Sequence, residues 1–193
     1  MLVFLARHAQ STLNFEHRVN GDPTVAAPLT EEGREEARRL GAQLANVDLD
    51  LVVHTRFPRT KETAELAVAG RDLSVEVEPR LDDVKIGDLE GFPIERYREV
   101  KREIGRKLPF PGGESLDDAA RRYAAAYRAL LERDAEHVLV VCHEIPVRYA
   151  LNAAAGSDQL DGPPFHDLPN AVPFGFEGEA LARAAVRIEQ LAS

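Results

Sequence analysis

Three short runs of uninterrupted apolar residues, at 2–5 (LVFL), 51–53 (LVV) and 138–142 (VLVVC), constrain this chain more than any other feature. A strand with one wet face alternates apolar and polar residues. A Val- and Leu-rich run without alternation, too short for a helix, reads as a strand covered on both faces. Such strands belong to a largely parallel sheet, because parallel strands are joined by crossovers that lay helices over both faces. Residues 75–77 are a weaker strand candidate, and 175–176 with 181–186 are expected to add strands near the C-terminal end.

Helical spacing fills the intervals. In 30–47, small or apolar residues recur at Ala37, Leu40, Gly41, Leu44 and Ala45, one buried stripe. Thr30 fits an N-cap, and Glu31 and Glu32 suit the positive end of the helix dipole. In 115–132 the stripe is Leu116, Ala119, Ala120, Tyr123, Tyr127, Leu130 and Leu131, with Ser115 and Asp118 spaced as a capping box. Further helices are expected after Pro58 (60–68) and after Ile145 (147–155). The alternation predicts an α/β three-layer sandwich, a mostly parallel central sheet flanked by helices. With no repeat or linker, 1–193 reads as a single domain. Residues 84–135 are longer than a crossover needs and are expected to form a helical, cap-like insertion over the site.

Several function classes lose support. The formal net charge of −9 disfavours nucleic acid or an anionic membrane surface as partner, though clustered arginines still allow a small anionic substrate. No apolar run is long enough to span a bilayer. The start MLVFLARH is too short and too soon charged for a signal peptide, and the single cysteine, Cys142, suits a reducing compartment, so a cytoplasmic location is expected. The sequence carries no signal for an oligomeric state.

Ligands of open α/β sheets bind beyond the carboxyl ends of the strands. The first run leads into Arg7 and His8, the second through His54 and Thr55 to Arg56 and Arg59, and the third into His143. Each alone reads as ordinary: a solvated loop, a surface arginine, a helix cap. Together they bring two histidines and at least two arginines to one sheet edge. Arginine forks match phosphate oxygens and stay charged. A neutral imidazole can attack phosphorus, and neighbouring cations can hold the developing charge.

Six blocks in order resemble the histidine phosphatase superfamily, in its phosphoglycerate-mutase-like branch. LVFLARHAQSTLN is similar to the family's strand followed by Arg-His-Gly and a downstream Asn, here Arg7, His8 and Asn14. Residues 14–33 follow its Asn-x3-Arg, Gly and Leu-Thr-x2-Gly pattern. HTRFPRTKETAE resembles the segment carrying the second phosphate arginine, Arg59. LDDVKIGDLEG resembles the acidic element and puts an acid at Asp83. PFPGGES and VLVVCHEIPVRYAL match the remaining blocks, the latter supplying His143, and Asn170 falls where a late Asn commonly sits. The resemblance implies a phosphomonoesterase acting on a small phosphorylated metabolite. His8 would be the nucleophile, with Arg7, Asn14, Arg59 and His143 on the phosphoryl oxygens and Asp83 as proton donor, then base. It implies no cofactor and no metal; the histidines are too dispersed for a ligand set.

Three positions depart from the family pattern. Ala9 and Glu144 each replace a Gly, and Asp83 replaces a longer Glu. Ala9 is expected to be crowded rather than strained. Glu144, a carboxylate beside a phosphate site, must point away or neutralise an arginine. Asp82, Asp88 and Glu90 are alternative acids. Arg18 and Glu144 are the first candidates for selectivity, and Phe15, Phe92, Phe110 and Phe165 are further candidates for the pocket rim. Three rivals stand beside this reading. Phosphoglycerate mutase-type transfer uses the same residues, and a catalytically weak phospholigand-binding scaffold is suggested by Ala9 and Glu144. A cysteine phosphatase loop is suggested by the Cys-x5-Arg spacing of Cys142 and Arg148, but Pro146 removes a donor that loop would need.

Overall fold

A computed structural model describes residues 1–193. In chain order the elements are β1 (Leu2–Arg7), α1 (Thr12–Phe15), α2 (Glu31–Gln43), β2 (Leu51–His54), α3 (Pro58–Ala67), β3 (Ser74–Val77), α4 (Ile94–Ile104), α5 (Leu116–Leu131), β4 (His137–Cys142), α6 (Glu144–Ala154), β5 (Pro173–Glu177) and α7 (Gly178–Leu191). The sheet order is β3-β2-β4-β1-β5. The first four strands in that order are mutually parallel and β5 runs antiparallel along β1.

Successive strand residues point to opposite faces, and the core divides accordingly. Val3, Leu5, Val138, Val140 and Cys142 pack with α5, α6 and α7 in the larger cluster. Ala6, Val52, Leu139 and Val141 pack with α2 and α3 in the smaller one. This is the three-layer sandwich expected from the unalternating runs. Both predicted side-chain caps are present: Thr30 Oγ1 accepts from the Gly33 amide, and Ser115 and Asp118 form a full capping box. No helix is long and apolar enough to cross a membrane.

Four expectations need correction. Residues 181–186 are not a strand but part of α7. Leu181, Ala184, Ala185 and Ile188 recur at helical spacing and are all buried against α5 and α6. Helix α2 stops at Gln43 rather than 47; the next turn is irregular, and Arg71 donates to the Leu44 and Val47 carbonyls. Helix α6 begins at Glu144 rather than 147, because Pro146 sits in the first turn, where no amide hydrogen is needed. Only the earlier part of 84–135 approaches the strand ends. Its last helix, α5, is a buried core helix packed against α7.

Candidate active site

Strands β1 and β4 are neighbours, with Arg7 opposite Cys142. The residues that follow therefore leave the sheet side by side, and the His8 amide donates to the Cys142 carbonyl at 2.9 Å. The imidazoles of His8 and His143 meet edge to face with centroids 5.5 Å apart. Arg59 arrives from the first turn of α3, after β2 on the other side of β4. All three side chains are buried. Thr63 ties α3 to the His8 loop: its hydroxyl donates to the Arg59 carbonyl at 2.7 Å and accepts from the Ala9 amide at 3.0 Å. Ala9 is fully buried and does not fall in the left-handed region, so the residue after His8 is crowded and unstrained. The loop also presses on α2: a Cβ at Gly33 would sit 2.1 Å from the Gln10 carbonyl oxygen, so glycine is required there.

The hydrogen bonds assign the imidazole protons. His8 Nδ1 lies 2.7 Å from the Ala9 carbonyl oxygen, an acceptor only, so Nδ1 carries the hydrogen. Nε2 then keeps its lone pair and accepts from Arg59 Nε at 2.9 Å. Around His143 the chain of donors runs outward. The Thr60 hydroxyl donates to the Phe57 carbonyl (2.8 Å), which leaves the Thr55 hydroxyl to donate to Thr60 (2.9 Å) and to accept from His143 Nε2 (3.0 Å). His143 Nδ1 thus faces the site, 3.2 Å from Arg59 Nη2 and 3.5 Å from Asp83 Oδ2.

Arg59 is the hub. Besides His8 and His143 it donates through Nη1 to Asn20 Oδ1, and through Nη2 to the Asn20 carbonyl (3.2 Å) and Asp83 Oδ2 (3.3 Å). Asn20 is held in turn by Glu90, which accepts from Asn20 Nδ2 and the Gly21 amide, each at 2.7 Å. The guanidinium lies 4.3 Å above the Phe57 ring, whose edge meets His143. Burial pulls Arg59 down to about 10, with Asp83 and Glu90 opposing, so it stays charged at neutral pH. Burial, then the Arg59 and Arg7 charges, hold His8 well below the usual imidazole value. Burial, then Arg59 and His8, do the same to His143. Burial pushes the Asp83 carboxyl up, against the pull of Arg59, and nearby Glu144 adds to the rise. The result is neutral imidazoles beside a persistent cation, facing a carboxyl inclined to hold its proton.

A cavity of about 240 Å³ opens over this group. Arg7, His8, Asn14, Arg18, Arg59, Asp83 and Glu144 line it, with Leu13, Val19, Ile86, Ile94 and Ile145 as an apolar wall. His143 lies beneath, reaching the site between Arg59 and Asp83. Asn14 caps α1 together with Ser11, so its carbonyl oxygen is engaged by Ser11. Glu144 neutralises an arginine: its carboxylate bridges Arg7 (3.0 Å) and Arg148 (2.7 Å).

The alternative acids lie elsewhere. Asp82 pairs with Arg56 (2.6 Å), Glu90 holds Asn20, and Asp88 is absent from the cavity wall. Of the selectivity and rim candidates, Arg18 and Glu144 line the cavity and the four phenylalanines do not. Phe110 is buried and stacks on Tyr97, Phe15 and Phe92 are exposed, and Phe165 packs partly on the core. Cys142 is fully buried, burial pushes its thiol up, and Arg148 is committed to Glu144 and Asp161, so the Cys-x5-Arg spacing forms no phosphate loop. No three His, Cys, Asp or Glu side chains are grouped as a metal-binding set.

Sequence reasoning missed Asn20, Thr55, Tyr97, Lys101 and the wall role of Arg148. A signal existed for part of this. Ile94, Tyr97, Arg98 and Lys101 follow i, i+3, i+4, i+7 spacing and all line the cavity from one face of α4. Asn20 lies in an irregular loop and carries no such mark.

Residues 3–173 match the family model of the histidine phosphatase superfamily (branch 1). A Salmonella choleraesuis protein named "Probable phosphoglycerate mutase GpmB" is 27% identical over 162 residues, covering 80% of this chain and 74% of that protein. Among solved structures, Bacillus stearothermophilus YhfR superposes with a TM-score of 0.79 at 27% identity, over 91% of this chain and 90% of that one. The alpha-ribazole phosphatase from Shigella flexneri superposes with a TM-score of 0.71 at 25% identity, over 81% of each chain.

Proposed function

The chain belongs to the histidine phosphatase superfamily, and from that premise we propose that it is a phosphomonoesterase working through a phosphohistidine on His8. The observation that carries the reading is the tautomer of His8: with Nδ1–H spent on the Ala9 carbonyl, the Nε2 lone pair points at Arg59 inside a cationic, buried cradle.

A phosphoryl group entering the cavity takes over the donors of Arg59 and Arg7 and frees Nε2 to attack. The N–P bond forms as the ester P–O bond breaks. The departing oxygen takes the Asp83 proton. The Asp83 carboxylate then takes a proton from water, the water oxygen attacks phosphorus, and the N–P bond breaks to return His8 and release phosphate. Charge on the equatorial oxygens is held throughout by Arg7 and Arg59, while His143, whose Nδ1 is a lone pair in this tautomer, accepts from Arg59 Nη2 and holds the guanidinium in place. Positioning and electrostatics therefore supply most of the catalysis. The apolar wall beside a polar one suits a small metabolite with an amphipathic leaving group. A mutase reading shares every group named and is carried by the similarity to the phosphoglycerate mutase relative; it differs only in what accepts the phosphoryl group.

The test is hydrolysis of para-nitrophenyl phosphate by wild type and His8→Ala in EDTA, with acid-labile phosphoryl-enzyme trapped by rapid quench. The expected result is turnover and a labelled protein only when His8 is present, with a loss of about 10³-fold or more in the variant. Full activity in His8→Ala would overturn the reading.

A further inference from the structure

Glu144 is the first residue of α6, immediately after His143, and its carboxylate lines the cavity. Oε2 takes Arg7 Nη1 at 3.0 Å and Oε1 takes Arg148 Nη1 at 2.7 Å. An acceptor bridging two arginines at the inner wall of an anion site is what a bound carboxylate would be. Here the chain supplies that carboxylate itself. The wall behind it is also neutralised: Arg148 reaches on to Asp161 (3.0 Å), which takes Lys101 of α4 (2.8 Å) and Arg106. The cations left without an inner partner, Arg18 and Arg98, are exposed, where water and salt screen their pull. The inner wall therefore offers no unpaired charge to a ligand; the Nε groups of Arg7 and Arg148 lack acceptors but are fully buried.

We propose that Glu144 is a specificity-determining residue, a built-in carboxylate that fills the anion position between Arg7 and Arg148. The site therefore takes phosphomonoesters whose leaving group presents uncharged oxygens there and turns away those that carry a carboxylate. The proposal rests on the phosphomonoesterase reading and sharpens it, since it separates a neutral phosphorylated alcohol from a phosphorylated hydroxy acid. A second carboxylate at this wall would meet Glu144 at short range and find both arginines already engaged. A hydroxyl or carbonyl oxygen would approach the same wall without charge repulsion.

The test compares glycerol 2-phosphate, with an uncharged leaving group, and 3-phosphoglycerate, with a carboxylate, on wild type, Glu144→Gln and Glu144→Asp. Both kcat/KM and calorimetric Kd are measured for each ester. Wild type is expected to favour glycerol 2-phosphate. Glu144→Gln, which keeps the shape and removes the charge, is expected to shift the ratio toward 3-phosphoglycerate by about tenfold or more, the size of one partly screened charge pair. Glu144→Asp keeps the charge and is expected to keep the wild-type preference. A purely structural role would lower both esters together and leave the ratio unmoved, which overturns the proposal. So does a wild type that prefers 3-phosphoglycerate. If neither ester turns over, para-nitrophenyl phosphate hydrolysis decides the parent reading while the Kd ratio still decides the role of Glu144. Binding of neither ester to any of the three proteins sinks both.

Discussion

Asp83→Asn isolates the proton-transfer step from the phosphate cradle. Asp83 Oδ2 lies 3.3 Å from Arg59 Nη2 and 3.5 Å from His143 Nδ1. An asparagine of the same shape keeps one acceptor oxygen, enough for Arg59 Nη2 or for the Val84 amide (3.0 Å to Oδ1) but not for both. What it loses for the chemistry is the transferable proton. General acid–base catalysis contributes about 10²–10⁴-fold where the leaving oxygen needs a proton. Hydrolysis of glycerol 2-phosphate is therefore expected to fall by about 10²–10⁴ in kcat/KM. Para-nitrophenyl phosphate, whose leaving group departs readily as an anion, is expected to fall by less than about tenfold in the first step. The pH profile adds a second readout. Burial raises the Asp83 carboxyl, so the protonated acid persists to higher pH than an exposed aspartate would allow and its loss sets the alkaline limb. Burial and the arginine charges lower His8, so its neutral form extends to lower pH and the acid limb lies below the usual imidazole value. Asp83→Asn should flatten the alkaline limb and leave the acid one. Stability supplies the folding control. A carboxyl raised in the folded state stabilises below its unfolded value, and that contribution is lost as pH rises through the folded value. The variant should therefore melt at or above wild type at pH 7. An equal fall on both substrates, with the alkaline limb intact, would refute the proton-donor role and leave Asp83 as a positioning residue for Arg59.

Other substitutions probe the surroundings. Asn20→Ala removes the side-chain acceptor of Arg59 and is expected to cost about ten- to a hundredfold in kcat/KM, the size of one hydrogen bond to a charged group; an unchanged rate with a lowered Tm would leave Asn20 only a loop-closing role. Cys142→Ser places a hydroxyl in the fully buried β4 core, at a cost of about 1–3 kcal/mol. Thermal melting should show a Tm lower by roughly 2–4 °C per kcal/mol, with kcat/KM within about threefold of wild type, whereas abolished turnover would restore the cysteine mechanism.

Much of the fold was legible because burial on both faces removes polar alternation. The runs at 2–5, 51–53 and 138–142 could be little else, and each lies within β1, β2 or β4. The error at 181–186 has the same root. So short a stretch is too brief to show a period, and the helical spacing of Leu181, Ala184, Ala185 and Ile188 appears only over the longer span that packs against α5 and α6. Local chemistry at helix ends was also readable, since Thr30 and Ser115 cap with atoms a few residues away.

The sequence by itself determined that two histidines and two arginines leave strand ends, because strand type and chain direction are local properties. It could not determine which of them share a proton or a charge. The His8 tautomer depends on a carbonyl one residue on, but the acceptor role of Nε2 depends on Arg59, fifty-one residues away. The resemblance points to Asp83, but that it faces Arg59 and His143 while Asp82 is spent on Arg56 and Glu90 on Asn20 is visible only in the fold. The sequence leaves Glu144 either pointing away or neutralising an arginine, and the fold decides for the second by setting Arg7 and Arg148 on either side of it. Charges and hydrogen bonds act through space over a few ångströms, so partners distant in the chain acquire their roles only when the sheet brings β1, β2 and β4 together.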